Sequence, residues 1–260
     1  MAISIDSVYK EILNIIRNED LEKVDTTFEG SSSSSRGRRS YMTPVEFNVL
    51  AERAQSDIFE KLLEEYKLVY YSSKDYDNNT ELDLVQQRMN PFRVVSVEID
   101  KTNGYPTDVV THPLSSIYWV EDIYTIGASS AVQFKEVSKS YFSKVKAFST
   151  NKVFLKKDLD HIYYKENDGV KMYLYPTPTA NPRIDYIKKP TTPKWDSVVN
   201  INTGVVSYSA GGSIDFQLHE SERSSLINKI LYLAGMSTEK PQLSDMALKD
   251  EANNEVAKNN

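Results

Sequence analysis

Residues 42–60 read Met-Thr-Pro-Val-Glu-Phe-Asn-Val-Leu-Ala-Glu-Arg-Ala-Gln-Ser-Asp-Ile-Phe-Glu, and the stretch opens as a helix start. Thr43 and Glu46 stand at the spacing where a hydroxyl and a carboxylate cap each other's free amides. Pro44 occupies the first helical position, where its missing N–H costs nothing. Phe47, Leu50, Ala51, Ala54, Ile58, Leu62 and Tyr66 then trace one stripe, with Glu46, Arg53, Asp57, Glu60 and Glu64 mostly off it. Such a helix has to bury its apolar face against another element.

Partners are found on either side. Upstream, Val8, Ile12, Ile15 and Ile16 share a face, Asp6 is placed to cap, and polar residues from Asn18 onward end the pattern. Downstream, a short helix over Leu82–Met89 stops at Asn90-Pro91. Near the C-terminus Leu226, Ile227, Ile230, Leu231 and Ala234 have helical spacing, with Gly235 as the expected cap. Beyond Pro241 the tail is polar.

Between these helices the period changes. From Phe92, Val95, Val97 and Ile99 alternate with polar residues, which is strand spacing. Further strands are expected at Ser116–Ile126, Val132–Val137, Val153–Leu155, Ile162–Tyr164, Lys171–Tyr175 and Arg183–Lys188. Asn103-Gly104 and Asp168-Gly169 read as turns. Pro190 and Pro193 open a connector that ends at Gly211-Gly212. The expected fold is α+β: a helical bundle of N- and C-terminal helices, an inserted antiparallel β domain and an extended C-terminal tail. Residues 1–90 form the N-terminal helical region, with a flexible Ser/Arg-rich linker at 20–41. Residues 91–210 form the β domain, and 211–260 the C-terminal helix and tail.

The net charge of −6 argues against a surface built throughout for nucleic acid, and leaves room for a local basic patch. With no cysteine there is no disulfide, thiolate metal site or cysteine nucleophile. The opening residues lack a charged segment followed by a long apolar run, so a signal peptide is not expected. No stretch reaches the roughly 20 apolar residues that span a bilayer. The 17 tyrosines fit half-buried strands or interfaces, where the ring packs and the hydroxyl stays wet.

The search for chemistry yields little. His112, His161 and His219 are far apart, none at metal-ligand spacing. His219, at a helix start, reads as a cap. Asp75, Asp77 and Asn79 begin like a calcium loop, but Thr80 and Gln86 stand where glycine and glutamate are needed. Glu121-Asp122 beside Tyr118 and Trp119 reads as an amphipathic strand. Neither a phosphate-binding glycine loop nor a nucleophile elbow is present. No catalytic residue, cofactor or metal is therefore expected, and the chain is not expected to be an enzyme. Arg36, Arg38 and Arg39, beside the Ser31–Ser35 run, are the site residues singled out, for contact with DNA or a partner.

Two segments carry a family resemblance. They are Met42–Glu60, quoted above, and Ile214-Asp-Phe-Gln-Leu-His-Glu-Ser-Glu222, which continues to Leu226-Ile-Asn-Lys-Ile-Leu-Tyr-Leu-Ala-Gly235. Together they resemble virion proteins of crAss-like tailed bacteriophages and, more distantly, the head-to-tail adaptor proteins of podophages. The resemblance covers the helical parts and leaves Phe92–Tyr208 unmatched. It implies a structural ring subunit in the phage neck, joining portal to tail and lining the DNA channel. It also implies a homo-oligomer of about twelve copies closed by a heterologous interface. Its partners would be the portal and neighbouring neck or tail rings, with non-specific contact to packaged DNA and none to a membrane. Assembly would occur in the host bacterial cytoplasm. A receptor- or glycan-binding tail component is the alternative, drawn from the tyrosine-rich strands. A cell-wall hydrolase rests only on carboxylates that sequence alone does not bring together.

Overall fold

The computed structural model describes residues 3–25, 42–73, 80–100, 105–106, 116–126, 131–148, 161–166, 171–199 and 206–237. The expected strand at 153–155, both expected turns, the linker beyond Asp25 and the tail from 238 lie outside these residues. Along the chain run α1 (Ile5–Asp25), α2 (Pro44–Ser73), α3 (Thr80–Met89), β1 (Arg93–Asp100), β2 (Tyr105–Pro106), β3 (Ile117–Ile126) and β4 (Ala131–Glu136). There follow α4 (Lys139–Phe148), β5 (Ile162–Lys165), β6 (Met172–Tyr175), β7 (Arg183–Lys188), β8 (Ser197–Val199), β9 (Val206–Tyr208) and α5 (Arg223–Ser237). Two compact units result: Met1–Pro91 with Pro190–Asn260, and Phe92–Lys189. The chain thus leaves the sheet unit at Lys189, and the segment from Pro190 to Gly211 belongs with the helices.

The sheet unit overturns the expected architecture. Its strands run in the order β2-β1-β7-β3-β4-β5-β6, and the six longer ones curl into a half-barrel that dominates the molecule. This is a mixed α/β fold dominated by the curled sheet, not a helical bundle carrying an inserted antiparallel β domain. The physical reason lies between β4 and β5, which pair in parallel through Lys135↔Ile162 and Glu136↔Tyr163. Parallel neighbours need a long crossover, usually helical, and α4 lies in that crossover. Ile99, Ile123, Phe134, Tyr163, Met172, Ile184 and Tyr186 fill the core on one face. Alternation along β5 sends Ile162 and Tyr164 to the other face, where Phe142 and Val145 of α4 cover them. The β5–β6 hairpin is therefore packed on both sides.

Two bulges bend this sheet around Asp185. On β1, Val94 pairs Tyr186 and Val97 pairs Ile184, so Val95 and Ser96 stand opposite the single residue Asp185. On β3, Val120 pairs Tyr186 and Asp122 pairs Asp185, leaving Glu121 as the extra residue. Ser96 has a positive φ of 62°, which disfavours a residue with a Cβ by roughly 1 kcal/mol. Its amide donates to Asp185 Oδ1 at 2.7 Å and its hydroxyl accepts from Arg183 at 2.7 Å. Tyr124 donates to the same Asp185 oxygen at 3.3 Å.

In the helical unit, α2 packs on α3 and α5, and α1 meets α5. The capping box forms. Thr43 N–H donates to Glu46 Oε2 at 2.9 Å and Glu46 N–H to Thr43 Oγ1 at 3.3 Å. The bond from the Thr43 amide holds the Glu46 carboxyl below its usual range. At α1 the expectation fails twice. The helix continues past Asn18 to Asp25, and Asp6 does not cap it. Asp215, distant in sequence, does so by accepting from the Ile5 amide at 2.9 Å. Asp6 accepts from the Trp195 indole at 3.2 Å and pairs with Lys10 at 2.6 Å. The last helix runs through Gly235 to Ser237. One glycine is a weak stop when Leu233 and Ala234 before it are buried.

Candidate interaction surface

Within the helical unit, the extended segment from Pro190 is fastened along α2 by side chains that imitate a neighbouring strand. Asn48 Nδ2 donates to the Trp195 carbonyl at 3.0 Å, and Asn48 Oδ1 accepts from the Trp195 amide at 2.7 Å. Two turns further on, Gln55 donates to the Thr191 carbonyl at 2.8 Å and accepts from the Gln217 amide at 3.0 Å. Gln217 in turn accepts from the Thr191 amide at 3.1 Å, and Thr192 donates to Glu52 at 3.2 Å. An amide side chain has the same donor and acceptor as a peptide group, so the helix satisfies a backbone that no sheet flanks. Trp195 completes the anchorage. Its ring lies 4.6 Å from Tyr9 of α1 and 5.8 Å from Tyr208 of β9, and Tyr9 lies 4.8 Å from Phe47 of α2.

What the anchorage presents is a two-stranded arm. Lys194 and Ile214 bridge at its root, and β8 and β9 pair through Ser197↔Tyr208 and Val199↔Val206. At the root turn a Cβ on Gly212 would displace the Asp196 carboxylate from where it now lies. Val198 on the arm is 57% exposed, and Ile214 is 44% exposed. On α2, Val45 and Val49 beside Asn48 are 73% and 62% exposed. Large aliphatic residues shown to solvent on elements held this firmly form a candidate surface for another protein.

The charged groups of this unit hold its elements together. Arg88 of α3 donates to Glu65 of α2 at 3.0 Å and to Glu222 at 2.8 Å, and the Glu222 side chain is only 3% exposed. Arg223 reaches Ser7 and Glu11 of α1, each at 2.9 Å, and that carboxylate holds the guanidinium's pKa above its usual value. His219 caps the 3-10 turn Glu220–Glu222, accepting from the Ser221 amide at 3.3 Å.

In the sheet unit, Glu121 is drawn inward by its bulge and pairs with Arg93 at 2.8 Å, while Asp122 accepts from Gln133. The two carboxylates thus have separate structural partners. Tyr164 and Tyr173 stack at 4.7 Å and 5°, and Phe142 closes on Tyr164 at 4.7 Å. Burial pushes the Tyr164 hydroxyl's pKa up. His161 meets Phe134 edge-on at 5.3 Å.

Arg36, Arg38 and Arg39 lie outside the described residues, as do His112 and Asp75 to Asn79, so the structure neither assembles nor separates them. Sequence reading missed Asn48, Gln55, Asp215 and Gln217. For the first two a signal existed: amides seven apart, bordering an apolar helical stripe. Among the described residues no group of three or more His, Asp or Glu could hold a metal ion. None of their helices is long and apolar enough to cross a membrane. No protein-family model matches the chain, and no curated protein sequence matches it.

Proposed function

We propose that this chain is a structural subunit of a larger protein assembly: a ring in the neck of a tailed bacteriophage, between portal and tail. The observation that supports this most is the anchored arm. Asn48, Gln55 and Trp195 fix an extended connector that offers a two-stranded arm with Val198 exposed on it and Ile214 exposed at its root, a plan suited to gripping a neighbour. The resemblance of residues 42–60 and 214–235 to phage adaptor proteins gives the assembly its identity in this reading. A copy that offers an arm and receives its neighbour's elsewhere makes a heterologous contact, and such contacts close into rings when the rotation fits. The receptor- or glycan-binding alternative draws less support. The stacked Tyr164 and Tyr173 rings pack against α4 and one another, which spends their faces internally.

The test is mass and symmetry of the purified chain, alone and mixed with its cognate portal, by light scattering and electron microscopy. A ring stacked on the portal is expected. A strict monomer that ignores portal and tail proteins would overturn the proposal.

A further inference from the structure

We infer that Tyr164 and Tyr173 form an oxidative modification site, at which a peroxide acting through a haem peroxidase joins the two rings by a carbon–carbon dityrosine bond and staples β5 to β6. This does not rest on the ring reading, since both residues belong to one chain. Tyr164 and Tyr173 stand directly opposite each other in the antiparallel ladder. Two residues further along, the Glu166 amide donates to the Lys171 carbonyl at 3.0 Å. Tyr164 and Tyr173 are therefore a hydrogen-bonded pair, with Cα atoms about 5.5 Å apart. Their rings lie 4.7 Å apart at 5°, an offset parallel stack. Phenoxyl radicals couple through the faces of their ortho carbons, where unpaired spin density is high, so a parallel stack presents the reacting atoms to each other. By contrast, Tyr66–Tyr70 and Tyr70–Tyr71 of α2 are inclined at 32° and 74°, with centroids 5.8 and 5.7 Å apart.

Glu166 supplies a base. The Tyr173 hydroxyl donates to Glu166 Oε2 at 3.2 Å, so the ring can lose an electron as its proton passes to the carboxylate. Proton and electron then leave together, and no cationic ring forms. Lysine ammonium groups lie over both rings, Lys171 at 5.1 Å from Tyr173 and Lys139 at 5.9 Å from Tyr164. They favour an electron-rich face and would oppose a radical cation, whereas a neutral radical carries no such penalty. Tyr173 is half-buried, and Tyr164 is 8% exposed with Phe142 against it at 4.7 Å. Burial thus shields Tyr164 from the phenol of another molecule and leaves Tyr173 against it. The chain has no cysteine, so no thiol competes for the oxidant.

Each phenol gives up one electron and its hydroxyl proton. The two radicals form one bond between ortho carbons, and each ring then transfers its ortho hydrogen to its oxygen and becomes a phenol again. The pair loses two hydrogen atoms in all, and one hydrogen peroxide takes them up to become two waters.

The test treats the full chain with a haem peroxidase and limiting hydrogen peroxide. Expected are dityrosine fluorescence in the monomer, a mass lower by two hydrogens, and a cross-linked peptide pair that contains Tyr164 and Tyr173. Tyr173→Phe should lower the monomer's dityrosine about tenfold, and Tyr71→Phe, which removes a 59% exposed phenol, less than twofold. Glu166→Gln should slow coupling severalfold, with circular dichroism confirming that all three variants keep the fold. Mapping on the parent chain decides the matter should a variant misfold. Dityrosine found only in covalent dimers, a monomer bond mapped to another pair, or an undiminished yield in folded Tyr173→Phe would each overturn the inference.

Discussion

Replacing Gln55 tests whether α2 truly serves the connector as a strand would. Gln55 is 2% exposed and bonds two backbone groups, the Thr191 carbonyl and the Gln217 amide. Gln55→Ala leaves both without that partner, at about 1–3 kcal/mol each for a buried group. These bonds are part-buried, so about 3 kcal/mol in total is expected. Gln55→Glu is the sharper probe because only protonation separates it from the parent. Ionised, it can still accept from Gln217, but it presents a carboxylate to the Thr191 carbonyl. Protonated, it restores both bonds. Burial and the opposed carbonyl raise the pKa of this glutamic acid in the folded state above its unfolded value of about 4.3. The folded protein then binds the extra proton. The variant's stability relative to the parent is therefore fullest below pH about 4.3 and declines as pH rises through the folded pKa. Trp195, one of two tryptophans, reports locally when Trp119 is changed to Phe. Urea unfolding followed by its fluorescence, at pH 7 and pH 4, gives both numbers. The reasoning fails if Gln55→Ala lies within about 0.5 kcal/mol of the parent, or if Gln55→Glu gains nothing relative to the parent on acidification.

Other perturbations address separate contacts. Arg88→Met strands the buried Glu222 carboxylate and should cost about 3 kcal/mol or more, whereas R88M/E222Q recovers most of it, as read by urea midpoints. Ser96→Val puts a β-branched residue at positive φ and should destabilise the sheet unit by about 2 kcal/mol, while Ser96→Gly stays within about 1 kcal/mol of the parent; thermal melts distinguish them. Gly212→Ala should speed amide exchange at Ser209, which bonds the Asp196 carbonyl at 2.9 Å, and G212A/D196A should slow it again. Because the folded-state pKa of Glu46 is lowered, its contribution is complete above pH about 4.3 and lost as pH falls through the folded value. The stability gap between parent and Glu46→Gln should narrow on acidification over that range.

Local signals carried far in this chain, and non-local ones did not. The Thr43/Glu46 capping box needed only near neighbours and forms as read, while the α2 stripe is right at Phe47, Ala51, Ala54, Leu62 and Tyr66 and wrong in part, because Leu50 and Ile58 are only half-buried and Phe59 and Leu63 are buried in their stead. Most strands were legible because β-branched and aromatic runs alternate. The alternation misled at β1, where the Ser96 bulge turns Val95 outward to 52% exposure and brings Val94 against the core. Helix α4 was invisible because Phe142 and Val145 alone mark its buried face, too few to set a period. Without α4, nothing in the sequence separates the parallel β4–β5 pair from an antiparallel one. The helix partners of the connector, and Asp215 as the cap of α1, depend on residues that only the folded chain brings together. Of the candidate surface, the exposed aliphatic residues were present in the sequence, but nothing there told which valines would be left outside.

The tie between the two ends of the helical unit bears on how the chain emerges from a ribosome. Ile3 bridges to Phe216, and the first turn of α1 waits for the carboxylate of Asp215. Asp215 follows Ile5 by 210 residues, all of which must be synthesised before α1 meets its cap. Phe92–Lys189 is continuous and closes on itself, so it can mature while the earlier helices are still incomplete. Phe92–Lys189 can be complete while α1, made before it, still lacks its cap.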